Sequence, residues 1–403
     1  MSLLAELSDK NNWIAYREHK VMGQHISKYE LKYLDLFIEE DRYLKITERI
    51  FDADIPFDYP RKKTVNKSGT NKKRVVYTYS PDEMLVLKLM MFLLNRYEIR
   101  LNPRCYSFRK TKTVKGAIGE IVRSSYANNS YTYKVDIHNY FNSMDVGILL
   151  DSLKDVIDDD PELLLFLERF LNVNKAYDGD TGEIVEESRG GMAGTPISPF
   201  FANVYLKSLD DLFDGVPYYR YSDDILIFAE KEEELIKFKD MLTKHIKDKK
   251  VELNPDKIKL TRPSEAWEFL GFKYYNGKVD LSEVTLNKIK GKIKRKATKL
   301  YRWRIRKGAP YDGTAKAMIR IFNRKFYGYS KEGEEVDFTW ARWFFPVLDT
   351  ADSLAVIDDY LIQYIRYINS GRHYKGNYKI TYEHIKELGF RSLVNEFYKS
   401  QNK

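Results

Sequence analysis

The sequence has one cysteine, Cys105, in 403 residues, which excludes an internal disulfide, and no CxxC or Cys/His cluster suggests structural zinc. That thiol poverty fits a reducing cytosol. The six histidines show no nuclease-metal spacing. Long apolar runs are missing as well: the richest, from Met84 to Leu94, is interrupted by Lys88 and is far shorter than the roughly 20 residues that cross a bilayer. The opening MSLLAELSDKNN lacks a basic stretch followed by an apolar one, so no signal peptide is expected, and the chain reads as cytoplasmic with no membrane partner. Only 21 glycines and 12 prolines argue against a collagen-like or disordered chain, and 43% hydrophobic residues allow a sizeable core. At roughly 150 residues per domain, two to three domains are expected.

Charge is abundant, and it is unevenly placed. From Arg61 to Arg123 there are 16 Lys+Arg against 4 Asp+Glu, and from Leu281 to Ser330 there are 15 against 2. The net +9 therefore hides a net acidic remainder. Two basic lobes flanking an acidic middle suit a protein that grips nucleic-acid phosphates on two sides and holds cations between them. In the second lobe Ser282 is a candidate N-cap and Gly308 a candidate helix stop. Between them Leu286, Ile289, Ile293, Ala297 and Leu300 form one apolar stripe, while Lys288, Lys292, Arg295, Lys299, Arg302 and Arg306 recur on another face. This predicts a long helix with one packed side and one cationic, nucleic-acid-binding side.

The acidic middle carries the chemistry. Tyr131 to Asp136 alternates, with Thr132, Lys134 and Asp136 on one face, as in a half-buried strand ending at Asp136. Farther on, Tyr218 to Ala229 places Ser222-Asp223-Asp224 between two aromatic or β-branched runs, which reads as a hairpin with two carboxylates at its tip. Either feature alone is an ordinary turn. If the three meet, charges about 4 Å apart repel by roughly 4 kcal/mol per pair at an effective dielectric of 20, so a cation is needed. Two Mg²⁺ ions about 3.5–4 Å apart would neutralise them, with Mn²⁺ as a substitute, and would suit phosphoryl transfer by in-line displacement.

The order of these motifs resembles a reverse transcriptase palm. Asp136 with Ile137 and Phe141 resembles the first catalytic motif, and Arg189-Gly-Gly-Met-Ala-Gly194-Thr-Pro-Ile-Ser198-Pro-Phe-Phe-Ala-Asn203 the positioning motif after it. Tyr221-Ser-Asp-Asp224 matches the Tyr-x-Asp-Asp box. Leu253-Asn-Pro-Asp-Lys257 and Trp267-Glu-Phe-Leu-Gly271-Phe resemble the lysine motif and the primer grip, and Lys73-Arg74 and Tyr106-Ser-Phe-Arg109 resemble finger motifs. The resemblance implies catalytic Asp136, Asp223 and Asp224 holding the metal with the carbonyl of Ile137. It implies nucleotide binding by Arg74, Arg109, Phe141, Gly194 and Lys257, Lys257 being placed to protonate pyrophosphate. Gly194 would let the backbone approach the incoming base pair, and Phe269, Leu270 and Gly271 would grip the primer. Ser198-Pro199 reads as the N-cap and first residue of a helix on either view. Related RNA-dependent RNA polymerases usually carry a second Asp five residues after the first, where it reads the ribose 2′-OH. Phe141 stands there in this chain, so dNTPs are the expected substrates.

The expected fold is α+β, a right-hand polymerase with fingers, an antiparallel palm sheet with helices, and a helical thumb. Residues 1–60 read as a helical extension, 61–130 as fingers, 131–282 as palm with interleaved finger elements, and 283–403 as basic thumb with a C-terminal RNA-binding extension, where the segment 370–379 is both basic and aromatic. Departures narrow the class. Met192-Ala193-Gly194 replaces the common Pro-Gln-Gly, the Asn-Ala-x-x-His and Val-Thr-Gly elements of retron enzymes are absent, and an RNase H domain does not fit after Glu283. The chain most resembles the defence-associated "unknown group" of bacterial reverse transcriptases, related to group II intron and abortive-infection enzymes. That implies a dedicated non-coding RNA as template and partner, a cDNA product and anti-phage activity. A catalytically vestigial RNA scaffold and a template-independent or protein-primed polymerase are the alternatives.

Overall fold

The computed structural model describes residues 2–23, 26–52, 55–66, 73–187, 190–328 and 339–402; His25 and Arg189, the first residue of the positioning motif, lie outside the described residues. It divides into two compact units, Met1–Ser264 and Glu265–Lys403. The class is the expected α+β, with helices packed on sheets that are antiparallel apart from one parallel pairing, Arg61–Asn66 with Lys175–Asp178.

The first unit is built around a four-stranded antiparallel sheet in the order Tyr218–Tyr221, Asp224–Ala229, Tyr131–Asp136, Lys259–Thr261. The Tyr131–Asp136 strand departs from the expected half-buried pattern. Thr132 is buried beside Thr261, whose hydroxyl it meets, and Asp136 is buried too. A second sheet pairs Lys73–Thr78 with Arg61–Asn66, then Lys175–Asp178 and Ile184–Glu186. The helix Pro81–Leu94 starts on a capping box, with Ser80 and Glu83 exchanging hydrogen bonds and Pro81 in the first turn. Its residues are apolar nearly all round and mostly buried, as a helix enclosed by the unit's core must be.

The helix Ser198–Tyr205 begins one residue earlier than its sequence suggested. Ile197 occupies the cap without a side-chain bond, and the Ser198 hydroxyl donates instead to the Thr195 carbonyl at 2.8 Å.

The second unit opens with an antiparallel meander, Trp267–Phe269, Phe272–Tyr275 and Lys278–Leu281. Leu270 and Gly271 form the first two-residue turn, both with positive φ (52° and 89°), the mirror-image turn that matches strand twist. The helix Glu283–Lys307 follows, capped by Ser282 and stopped by left-handed Gly308, with Leu286, Ile289, Ile293 and Ala297 buried as the periodicity required. It packs against Asp352–Ser370 and Tyr311–Tyr327. The Asp358 carboxylate fixes the last helix, Leu393–Gln401, accepting from Ser392 Oγ at 2.7 Å and from the Leu393 and Val394 amides at 2.9 and 3.2 Å.

Candidate active site

Strand register brings the acidic residues together. Asp136 is the last residue of its strand and lies directly opposite Asp224, the first residue of the neighbouring strand. Antiparallel partners project their side chains to the same face, so the two carboxyls share one side of the sheet. Asp223 occupies the turn of the Tyr221–Asp224 hairpin, and its carbonyl accepts from the Ile137 amide at 3.1 Å, which ties the turn to the end of the central strand.

That turn needs support, because Ser222 adopts φ 59°, a left-handed conformation a side chain disfavours. The Ser222 amide donates to Ser107 Oγ at 2.9 Å, and Ser107 Oγ donates to Asn203 Oδ1 at 2.7 Å. Beneath them lies Arg220, wholly buried. Its guanidinium grips both Asp210 oxygens, at 2.6 and 2.5 Å, and donates to the carbonyls of Ser222 (3.2 Å) and Asn203 (3.1 Å); Tyr218 Oη adds a bond to Asp210 at 2.8 Å. Sequence reasoning passed over this network. The available signal was an arginine and a polar helix residue inside otherwise apolar or aromatic runs.

Burial makes Asp223 and Asp224 hard to ionise. Asp223 is held above the usual carboxylate range by burial and by neighbouring Asp136, with Lys257 and Arg74 opposing. Asp224 is pushed up to about 6, chiefly by burial, with Asp223 and Asp136 adding and Lys134 countering. Lysines neutralise two of the three. Lys257 Nζ, from the turn Pro255–Lys257, pairs with Asp136 Oδ2, and Lys134 Nζ stands 3.4 Å from Asp224 Oδ1. Asn254 fastens the first contact through its amide to the Asp136 carbonyl at 2.7 Å. Lys134 was also missed, although its position two residues before Asp136 on the same strand face was readable.

A cleft of about 300 Å³ opens here, lined by Arg74, Asp136, Ile137, Phe141, Asp223 and Asn254 among others. Asp224 is not in its lining, and among the described residues no group of three or more His, Cys, Asp or Glu is arranged to hold a metal ion. Asp136 and Asp224 lie opposite one another and each has a lysine partner, Asp136 with Lys257 and Asp224 near Lys134. The donor set still suits a hard divalent cation. Carboxylate oxygens are the ligands such ions take, and Asp224 Oδ1 is buried without a hydrogen bond.

The other expected residues separate. Arg74 reaches the cleft, Lys257 touches Asp136, and Phe141 lines the wall against Phe108, ring centroids 6.4 Å apart. Arg109 does not reach it. Its guanidinium is spent on the carbonyls of Asn102 (2.8 Å), Cys105 (3.1 Å) and Glu98 (2.9 Å), and its side chain is 7% exposed, so it braces its own loop. Gly194 (φ 103°) allows a close approach to protein backbone: a Cβ there would meet the Tyr77 carbonyl at 3.0 Å. Its conformation docks the 190–197 loop on the Lys73–Thr78 strand, which the Tyr77 amide grips through the Ala193 carbonyl at 2.8 Å.

In the second unit Phe269 is fully buried and faces the core, which leaves the half-buried Leu270–Gly271 tip as the accessible part of the expected primer grip. That tip is anchored, since the Gly271 carbonyl accepts from the Ser282 amide at 2.9 Å and Thr285 Oγ1 at 3.0 Å. On the helix Glu283–Lys307, Lys288, Arg295, Lys299, Arg302 and Arg306 are exposed and Lys292 half-buried. Arg295, Lys299, Arg302 and Arg306 share a groove of about 630 Å³ with Lys294, Thr298 and Trp303.

Residues 61–274, more than half the chain, match the family model described as reverse transcriptase (RNA-dependent DNA polymerase). The chain belongs to this family. Residues 61–274 thus carry a reverse transcriptase domain. No curated protein matches the sequence. Among solved structures, the reverse transcriptase is similar to a C-terminally truncated apo telomerase from Candida tropicalis, at 13% identity over 56% of this chain and 55% of that one, TM-score 0.44. It therefore spans about half of that chain. It is also similar to apo telomerase from the same organism (11% identity, 82% and 69% covered, TM-score 0.45) and to telomerase from Candida albicans with the TWJ fragment of telomeric RNA (12%, 92% and 71%, TM-score 0.43). No helix among the described residues is long and apolar enough to cross a membrane.

Proposed function

We infer that the reverse transcriptase extends a 3′-hydroxyl with dNTPs on an RNA template, using Asp136, Asp223 and Asp224, with the Ile137 carbonyl, to hold two divalent ions, Mg²⁺ first and Mn²⁺ as a substitute. The observation that carries this reading is the register of Asp136 against Asp224, with Asp223 in the adjoining turn. When bound, the ions supply charge neutralisation and activation of the attacking hydroxyl. The chain's own groups do the rest. Arg74, in the cleft, binds triphosphate oxygens with its fork of donors. Lys257, which pairs with Asp136 at the cleft, would hold the proton that the leaving pyrophosphate takes. Phe141 fills the place of a ribose 2′-hydroxyl and excludes ribonucleotides.

Replacing Asp223 and Asp224 with Ala is expected to reduce labelled-dNTP incorporation to background in a primer-extension assay while RNA retention stays near wild type. Continued synthesis would refute the assignment, and wild-type protein that retains RNA without incorporating dNTPs would favour the scaffold alternative. Phe141→Ala is expected to admit ribonucleotides, read as the ratio of rNTP to dNTP kcat/KM; an unchanged ratio removes Phe141 from sugar selection.

The template in this reading is a dedicated non-coding RNA, the setting is phage defence, and the site of action is the cytoplasm. The resemblance of its motifs to the defence-associated bacterial group supports it. Sequencing the RNA and cDNA that copurify with the protein tests it: one RNA species with complementary DNA is expected, and a random mixture would refute the cognate template.

A further inference from the structure

The second unit holds a loop that neither the carboxylate site nor the basic helix uses. Between Tyr360 and Glu383 there is no acidic residue, yet Arg366, Arg372, Lys375 and Lys379 fall there. The helix Asp352–Ser370 ends at left-handed Gly371, and the chain turns through Lys375–Lys379. Asn377 fixes this turn from inside. It is buried, its Nδ2 donates to the Arg372 carbonyl at 2.6 Å, and its Oδ1 accepts from Ser370 Oγ at 2.9 Å.

On this rigid frame stand two aromatic rings, Tyr374 at 55% exposure and Tyr378 at 63%. Neither is loose. Tyr374 lies so close over Gly376 that a Cβ there would be 2.4 Å from its ring. Tyr378 is backed by the Arg366 guanidinium, 5.0 Å from its centroid, and Arg366 is itself fixed by donating from Nε to the Ile380 carbonyl at 2.9 Å. Each ring thus has protein behind it and solvent in front. Arg372, Lys375 and Lys379 are exposed around them. Exposed aromatic surface is costly in water, whereas a nucleobase stacks on it readily, and neighbouring cations attract the phosphates that join successive bases.

We propose that Tyr374 and Tyr378, with Arg372, Lys375 and Lys379, form a stacking platform for unpaired bases of a single-stranded nucleic acid. A duplex fits its chemistry less well, because stacked base pairs hide every face but those at the two ends. The platform does not depend on the polymerase reading, since it needs no metal and no dNTP.

The test titrates the full-length protein, in EDTA, into fluorescent oligouridylate, oligothymidylate and a blunt duplex, with anisotropy as readout. The Tyr374→Ala/Tyr378→Ala variant is expected to bind both single strands at least about tenfold more weakly and the duplex as wild type does. Trp at both positions restores binding, which a merely structural role for the tyrosines would not predict. Lys375→Gln/Lys379→Gln lowers the slope of log Kd on log salt by about 1. Loss on oligouridylate alone assigns the platform to RNA, and equal loss on both assigns it to bases of either strand. Unchanged single-strand affinity in the double-alanine variant overturns the proposal. So does a variant that keeps its oligonucleotides but no longer binds anionic phosphatidylserine vesicles, which would make the surface a membrane contact. Because the assay excludes divalent metal, failure here leaves the polymerase reading standing, and failure of DNA synthesis leaves this one standing.

Discussion

The surroundings of Asp136 and the basic surface of the second unit use charge in opposite ways. Around Asp136 charges are few and partnered, from the wholly buried Arg220 and Asp210 through half-buried Asp224 near Lys134 to Asp136 with an exposed Lys257. On the helix Glu283–Lys307 cations are numerous, exposed and of one sign. Burial accounts for the difference. A charge removed from water is expensive unless an opposite charge or donors replace the lost hydration, so a buried site keeps a small, fixed set whose positions matter individually. An exposed charge is cheap and weakly coupled, so affinity comes from many of them and none is individually decisive.

The largest expected effect lies under the hairpin. Arg220→Met leaves Asp210 buried without its cation, and the protein should lose about 3–5 kcal/mol in urea unfolding, with Arg220→Met/Asp210→Leu recovering most of it. A loss below about 1 kcal/mol would break the contrast, because the buried pair would then behave like a surface one.

A smaller effect is expected at Asp224, and it depends on pH. Its folded carboxyl binds a proton more tightly, with a pKa of about 6, than the unfolded one does at about 3.9. The folded state is therefore undisturbed below pH 4 and loses stability as pH rises through 6. Asp224→Asn should stabilise the metal-free protein by about 3 kcal/mol at pH 8, with the gain vanishing near pH 4. Thermal melts in EDTA at the two pH values check it; a gain equal at both would mean that the charge is not the cause.

The smallest effect belongs to the exposed helix. Lys299→Gln should leave the melting temperature almost unchanged, within about 0.5 kcal/mol of stability, while lowering the salt slope of nucleic-acid binding by about 1. A large stability loss would place Lys299 among the coupled charges and blur the comparison.

The sequence by itself determined the local features: the strand ending at Asp136, though not its burial pattern, the Ser222-Asp223-Asp224 hairpin, the caps at Ser282 and Gly308, and the apolar stripe between them. Each follows from residues within a few positions of one another, where period and turn chemistry operate. What the tertiary structure alone decided is which polar groups are spent on the protein itself. Arg109 reads as a phosphate ligand until its guanidinium is seen closing on three carbonyls of its own loop, and Gly194 as a base-pair contact until strand 73–78 is found against it. Lys134 and Arg220 read as ordinary strand residues until burial gives each a carboxylate partner. The reason is physical: hydrogen-bond and charge partners are set by approach in space and by exclusion of water, and neither is written in the spacing along the chain.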